Sequence, residues 1–236
     1  SANGSDKAQQ AAFLVLEGAT GNKIQITDAK AKVVTTGDRA HFAMIHNASN
    51  TTIVENKANV QLAAECDNYQ YRTFDEAYRA SKNGSTVKLL ADVERTTANY
   101  VTDCDGYASI FNIEGRKLTF DLNGHAINVI AKAADLANAT DKMLLAVFST
   151  DQGGKLTLID SSDAKTGKVE VVANDAKVYS LITNYEDGCF VTIEGGKYKA
   201  DKVYDSLIYS GASDCVTINN GNYHLDNVGK GDRGNG

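Results

Sequence analysis

The sequence predicts an all-β fold, a parallel β-helix or solenoid with one short capping α-helix at about residues 74–82. Three observations lead to this prediction. A unit of short alternating strands and polar turns recurs six times along the chain. The 236 residues include no proline, which would break the hydrogen bonds of a strand that is paired on both sides. They include 20 glycines, which suit tight corners between strands.

Each repeat begins with an apolar strand and continues through a polar turn into a strand with threonine at its centre. The six copies begin at Ala12, His41, Tyr107, Leu144, Tyr179 and Asp205. Strands such as 118–120 and 216–218 alternate branched or aromatic residues with polar ones. One unit cannot bury its apolar side alone, but units stacked about 4.8 Å apart share a continuous core.

A helical pattern separates the second repeat from the third. Its apolar face consists of Phe74, Ala77, Tyr78 and Ser81, with Thr73 or Asp75 as the N-cap and Gly84 at the end. A short amphipathic helix of this kind covers the exposed strand edges at the end of a β-helix. The pattern therefore predicts two domains, a small N-terminal β unit over residues 1–65 and a capped β-helix over residues 66–236.

Four motifs in the second predicted domain resemble right-handed parallel β-helix domains of the pectin-lyase-like superfamily. They are FDEAYRASKNGSTVKLLADV, KLTFDLNGHAINV, KLTLIDSSDAKTGKV and VTIEGGKY, and together they span roughly residues 72–228. They are most similar to modules of adhesin-like surface proteins of anaerobic bacteria. The resemblance implies an extracellular location and an adhesive or binding role, with enzymes as the minority.

Charge and hydropathy narrow the classes of function. The 24 basic and 30 acidic residues leave a net charge of -6, which argues against a nucleic-acid partner because such proteins need a basic face. No apolar run approaches the ~18 residues of a membrane span, and the first ten residues do not form a signal peptide. These features predict no membrane span in this chain and fit either a cytoplasmic protein or a mature secreted form. The resemblance implies a secreted or cell-surface location.

The leading functional hypothesis is a non-catalytic, adhesin-like or structural module that binds a glycan or a neighbouring protein subunit through one face of the β-helix. A carbohydrate-active enzyme, either a polysaccharide lyase or a glycoside hydrolase, is the first alternative. The second is a filament or phage appendage subunit that assembles head to tail with copies of itself.

An acid or an asparagine closes the threonine-centred strand of every repeat. These residues are Asp28, Glu55, Asp121, Asp160, Glu194 and Asn219. Stacked in register, the acids would form a carboxylate row that could bind sugar or Ca²⁺ or take part in glycoside chemistry. The other interpretation is that they accept backbone N–H groups at the turns. Asp121, Asp160 and Glu194 are candidate binding residues; the sequence predicts no catalytic residue and no cofactor, with Ca²⁺ the ion that the row would take.

Tyrosines are concentrated in the last third of the chain. Tyr198 and Tyr223 each lie four residues after the closing acid or asparagine, so they are predicted to stack on adjacent repeats. Tyr179, Tyr185, Tyr204 and Tyr209 lie in the same region. Exposed tyrosine rings offer amphipathic area to a ligand, whereas a stacked pair inside a solenoid is a packing device. The candidate recognition residues are Tyr198, Tyr209 and Tyr223.

The four cysteines lack the C-x-x-C spacing of a zinc or thioredoxin-like site. Two arrangements remain open. The pairs Cys66–Cys104 and Cys189–Cys215 could form disulfides, or the four residues could be buried thiols.

Overall fold

The computed structural model describes residues 10–15, 23–26, 40–45, 52–56, 62–67, 69–103 and 105–228. In these residues the chain is mostly β, with one α-helix and largely parallel sheets, which confirms the β-rich and parallel character of the predicted fold. Asp28, Cys104 and the side chain of Glu55 lie outside the described residues. The chain forms two compact units, residues 1–81 and 82–236, which divide later than the 65/66 boundary that the repeats predict.

The first unit contains six strands and one helix among its described residues. They are β1 (Gln10–Val15), β2 (Lys23–Ile26), β3 (Ala40–Ile45), β4 (Thr52–Asn56), β5 (Ala64–Cys66), β6 (Tyr69–Tyr71) and α1 (Phe74–Ala80). Strand β1 pairs with β3, and β2 with β4, in parallel. Strand β6 pairs antiparallel with both β3 and β5.

The predicted helix forms, and Thr73 caps it. The Thr73 hydroxyl accepts the N–H of Glu76 at 3.2 Å, while the Glu76 carboxylate accepts the N–H of Thr73 at 3.1 Å. This reciprocal capping box satisfies two N–H groups that the first helical turn leaves without partners. Phe74 and Ala77 are buried, as the helical pattern predicts. The helix ends at Ala80, slightly before the predicted end at residue 82.

Sixteen strands follow in the second unit. They are β7 (Thr86–Leu89), β8 (Val93–Thr96), β9 (Val101–Thr102), β10 (Ala108–Glu114), β11 (Lys117–Asp121), β12 (Ala126–Ile130), β13 (Met143–Asp151), β14 (Lys155–Ile159), β15 (Lys168–Val172), β16 (Lys177–Val178), β17 (Ser180–Asn184), β18 (Phe190–Ile193), β19 (Lys197–Val203), β20 (Ser206–Ser210), β21 (Val216–Ile218) and β22 (Asn222–Val228). Short 3₁₀ turns occupy Thr97–Asn99, Ala133–Leu136 and Thr140–Lys142. No helix among the described residues is long and apolar enough to cross a membrane.

These strands form three sheets, and successive strands along the chain join the sheets in a recurring order. The first sheet contains β10, β13, β17 and β20, with β9 antiparallel at its edge and β16 beside β13. The second contains β7, β11, β14, β18 and β21, and the third contains β8, β12, β15, β19 and β22. All pairs in this unit except β9 with β10 are parallel. Each later repeat therefore adds one strand to every sheet.

Apolar side chains of the first and second sheets meet in a core. Phe111 and Phe148 are paired neighbours whose rings stack with centroids 5.1 Å apart, and Phe120 meets Phe148 edge-on at the same distance. All three are buried. Offset and edge-on contacts add about 0.5–1.5 kcal/mol per pair to the free energy gained by burial. The alternation of each strand thus supplies the shared core that one repeat cannot form alone.

Candidate functional site

The register of the second sheet separates the predicted carboxylates. Phe120 pairs with Leu158, which pairs with Ile193 on its other side. The next residues along the strands are therefore Asp121, Ile159 and Glu194, and Asp160 lies one position further. The predicted in-register row is wrong because strand β14 has one more residue before its acid than its neighbours have. An offset of one residue turns a side chain to the other side of a strand.

Asp121 and Asp160 bind backbone N–H groups at the turns between the second and third sheets. The Asp121 Oδ1 atom accepts from Ser161 at 2.9 Å and from Asn123 at 3.0 Å. Asp160 accepts from Gly124 at 2.9 Å through Oδ1 and from Gly167 at 2.7 Å through Oδ2.

The environment of Asp160 favours its charged form. Burial acts to raise the pKa of Asp160, but hydrogen bonds from Ser162, Gly167 and Gly124 together outweigh it and hold the pKa below its ordinary value. Only 5% of Asp160 is exposed. The interpretation of Asp121 and Asp160 as turn-capping residues is confirmed, and their buried oxygens face the protein's own backbone.

Glu194 has a different environment. Its side chain is exposed, and its Oε1 atom accepts a hydrogen bond from the Asn219 side chain at 2.9 Å. The carboxylate is therefore within reach of a ligand, as Asp121 and Asp160 are not. Glu194 stays a candidate binding residue.

Tyr198 and Tyr223 form the predicted stack. They are paired neighbours in β19 and β22, and their rings lie 5.3 Å apart with an interplanar angle of 12°. Tyr198 is fully buried and donates its hydroxyl to the carbonyl of Gly195 at 2.7 Å. Its ring belongs to the core, which leaves Tyr223 as the accessible member of the pair.

A second group of aromatic rings, the tyrosine cluster, consists of Tyr179, Tyr185, Tyr204 and Tyr209. The Tyr209 ring lies 5.2 Å from both Tyr179 and Tyr185, and Tyr179 lies 6.4 Å from Tyr204. Tyr185 and Tyr204 are 44% and 36% exposed, respectively. Burial raises the pKa of Tyr179 and Tyr185, so their phenols stay neutral at physiological pH.

A cleft of about 170 Å³, the acidic cleft, adjoins the tyrosine cluster, and Tyr185 lines it. Four of its ten lining residues carry carboxylates: Asp103, Asp105, Asp151 and Glu186. The other six are neutral, so among the described residues no lysine or arginine lines the cleft. Among the neutral residues, Asn112, Ser149 and Thr150 supply amide and hydroxyl groups.

Asp151 is the last residue of strand β13 and lines this cleft. It is only 6% exposed, and its Oδ2 atom accepts no hydrogen bond from the described residues. Glu114 is its paired neighbour in β10, so a second carboxyl group lies on the adjacent strand. A buried carboxylate without a donor costs free energy because it loses its hydration.

Asp103 anchors a turn beside Asp151. Its carboxylate accepts the N–H groups of Tyr107 at 2.8 Å and Asp105 at 3.1 Å. Burial raises the pKa of Asp103, and the negative charges of Asp151 and Asp105 add to this effect against the two hydrogen bonds. At the rim, Glu186 accepts the N–H of Gln152 at 2.8 Å.

The acidic cleft was not predicted from the sequence, because the predicted carboxylate row contained only the acids at the end of the second strand of each repeat. A parallel signal exists at the first strand, where Glu114, Asp151 and Glu186 close the segments FNIE, FSTD and TNYE. Which of these acids becomes buried depends on the chain that covers them, and the segment 103–107 is separated from Asp151 by more than forty positions in sequence.

No set of three or more histidine, cysteine, aspartate or glutamate side chains in the described ranges is arranged to hold a metal ion. Cys189 and Cys215 are separate buried thiols in the structure rather than a disulfide.

Comparisons with protein-family models, curated proteins and solved structures found no match to this chain.

Proposed function

We propose that this protein is a non-catalytic, extracellular, adhesin-like module that binds glycan through the tyrosine cluster and the adjoining acidic cleft. The observation that carries the proposal is the position of Tyr185, which belongs to both features and is 44% exposed. A sugar presents a weakly apolar ring face and a rim of hydroxyl groups. Binding sites for such ligands combine aromatic surface with a few placed polar groups.

The fold proposal that accompanies it is a parallel β-solenoid over residues 86–228, of the type found in pectin-lyase-like modules. The fixed order in which strands enter three parallel sheets supports it. So does the positive φ of Gly124, Gly196 and Gly221, each of which lies between two strands. A secreted or cell-surface location follows from the resemblance of the motifs and belongs to the same proposal.

Glycan binding can be tested by screening the protein against immobilised glycans and by affinity electrophoresis in polysaccharide gels. Replacement of two clustered rings, in Tyr185→Ala and Tyr209→Ala, is expected to weaken binding of any retained glycan about tenfold each. The matched control is Tyr223→Ala, which removes a similarly exposed ring outside the cluster. Retention that responds only to Tyr223→Ala would place recognition on the stacked pair instead, and no retention on any glycan would contradict the proposal.

A carbohydrate-active enzyme is the second candidate, and Asp103 beside Asp151 favours it. A carboxyl group with a raised pKa can act as a general acid next to an ionised carboxylate. The predicted row of Asp121, Asp160 and Glu194 is the weaker choice because none of its three members lines the cleft. New reducing ends or unsaturated uronates from acidic polysaccharides, abolished by Asp103→Asn, would establish this candidate and overturn the non-catalytic one.

Head-to-tail assembly with a second copy is supported by the last strands. Among the described residues, β20, β21 and β22 each lie at the end of their sheet with one paired neighbour. Parallel stacking on another chain would satisfy their outer N–H and C=O groups. Sedimentation equilibrium over a wide concentration range tests this, and monomers throughout would contradict it.

A further inference from the structure

We infer that the acidic cleft binds the protonated amino group of an amino sugar, so that the glycan ligand is one with free rather than acetylated amines. The inference rests on the proposed glycan-binding function and names the class of sugar. Among the described residues, four carboxylates and no basic side chain line the cleft, so it complements a positively charged group.

Asp151 is the residue that makes this cleft more than an acidic surface. It is more than nine-tenths buried, it lines the cleft, and its Oδ2 atom has no donor among the described residues. An ammonium group brings three N–H donors and a positive charge. It would supply both the hydrogen bond and the counter-charge that the buried carboxylate lacks.

Two other carboxylates of the cleft are held in place by hydrogen bonds from the backbone. The Asp103 carboxylate accepts two backbone N–H groups of its own turn, and Glu186 accepts one from Gln152. These bonds hold the side chains in place around Asp151. The oxygen lone pairs of Asp103 and Glu186 that remain free make the electrostatic potential in the cleft more negative.

Several features favour a sugar over a bare ion as the carrier of the charge. A volume of about 170 Å³ is on the scale of cavities of roughly 150 Å³ that admit one six-membered ring. Tyr185 and Tyr107 line the cleft, and aromatic rings can contact a pyranose and form a cation–π interaction with its amine. Ser149 and Thr150 provide hydroxyl oxygens that can accept from a ligand, since they already donate their protons to Asn112 and Asn184, each at 3.0 Å. The described side chains do not form a metal-binding set.

The test compares two oligosaccharides of equal length, a glucosamine tetramer and its fully N-acetylated form, by isothermal titration calorimetry at about pH 6 and low salt. We expect the glucosamine tetramer to bind at least tenfold more tightly. Asp151→Asn should weaken its binding about tenfold and leave the acetylated tetramer unaffected. Asp163→Asn is the matched control, because it removes the same charge from an exposed position outside the cleft.

Loss of folding does not confound this variant. Asp151→Asn removes a buried carboxylate whose Oδ2 atom has no donor among the described residues, so its midpoint of urea unfolding is expected to equal or exceed that of the wild type. A lower midpoint would show that Asp151 is a structural residue and would overturn the inference.

The outcomes also separate the inference from the proposed function. Equal binding of both tetramers, weakened by Tyr185→Ala but not by Asp151→Asn, would overturn the inference and leave glycan binding intact. Failure of both tetramers together with Asp151-dependent binding of a lysine-rich peptide would show that the cleft takes a protein ligand, which overturns both. Asp151-dependent binding of Ca²⁺ with no preference between the tetramers would identify a metal site and overturn the inference alone.

Discussion

Asp121 and Asp160 each accept a hydrogen bond from the turn that follows the other residue. The Asp121 carboxylate accepts the N–H of Ser161, which follows Asp160, and the Asp160 carboxylate accepts the N–H of Gly124, in the turn after Asp121, each at 2.9 Å. The two acids therefore tie consecutive repeats together at a corner where strand pairing stops. Hydrogen bonds to an ionised acceptor are roughly twice as strong as neutral ones.

Replacement of Asp160 is expected to destabilise the second unit. Asp160→Asn places an amide group where an oxygen now accepts from Gly124 or Gly167, so a buried N–H loses its partner. We expect the free energy of unfolding in urea to fall by about 2 kcal/mol. The exposed Asp163→Asn, three residues away, should change it by less than about 0.5 kcal/mol. Equal effects of the two variants would contradict the structural role of Asp160.

The same carboxylate predicts a pH dependence of stability. The pKa of Asp160 is lowered in the folded protein, so the folded state binds this proton more weakly than the unfolded state does. The stabilisation is fully present above the unfolded pKa, near 3.9, and is lost as pH falls through the folded pKa. The difference in unfolding free energy between wild type and Asp160→Asn should be constant from about pH 7 to 5 and shrink below about pH 4. A difference that persists unchanged at about pH 2 would be inconsistent with this assignment.

Tyr198 and Tyr223 are expected to respond differently to the loss of one hydroxyl group. Tyr198→Phe leaves the buried carbonyl of Gly195 without its donor at 2.7 Å, which should cost about 1–2 kcal/mol of unfolding free energy. Tyr223→Phe removes a bond to the carbonyl of Asn220 at an exposed position, where water replaces it, so the cost should stay below about 0.5 kcal/mol. Neither variant should alter glycan retention. Urea unfolding followed by circular dichroism measures both, and a larger loss for Tyr223→Phe would refute the assigned burial.

Cys189 and Cys215 should react only after unfolding. Both are buried, and burial raises the pKa of the Cys189 thiol, which lowers its reactive thiolate fraction. Iodoacetamide without reductant should leave both unlabelled in the native protein and label both in urea, as read by peptide mass spectrometry. Val101→Cys, at an exposed position of β9, is the positive control for native labelling. Cysteines that stay unlabelled in urea would indicate the disulfide that the sequence left open.

The sequence interpretation succeeded where local chemistry decides the outcome. Thr73 and Glu76 lie three residues apart in a capping-box pattern, and the box forms. Gly124 adopts a φ of +82° between β11 and β12, in one of the tight corners that glycine suits. Tyr198 and Tyr223 stack because equivalent positions of successive repeats become paired neighbours. In each case the answer depends on a few adjacent residues or on the repeat itself.

The environments of the candidate functional residues could not be predicted from the repeat pattern alone. Asp121, Asp160 and Glu194 close similar strands, yet two of them are buried turn acceptors and one is exposed. The register does not explain this difference, because Asp121 and Glu194 occupy equivalent positions and only Asp160 is offset by one. The neighbouring turns explain it, since Ser161 donates to Asp121 and Gly124 donates to Asp160. The acidic cleft cannot be predicted from neighbouring residues in the sequence, because it forms where the segment 103–107 lies beside Asp151.

The sequence by itself determined the alternation of the strands, the glycine corners and the helix cap. These features depend on φ/ψ preferences and strand periodicity, which act over a few residues. The tertiary structure decided which carboxylates receive donors and which remain without them. That outcome depends on contacts between residues far apart in the chain, and the free energy of a buried charge changes by several kcal/mol with the presence of a single partner. For this protein, the difference between a turn acceptor such as Asp160 and a candidate ligand group such as Asp151 is set by packing rather than by residue type.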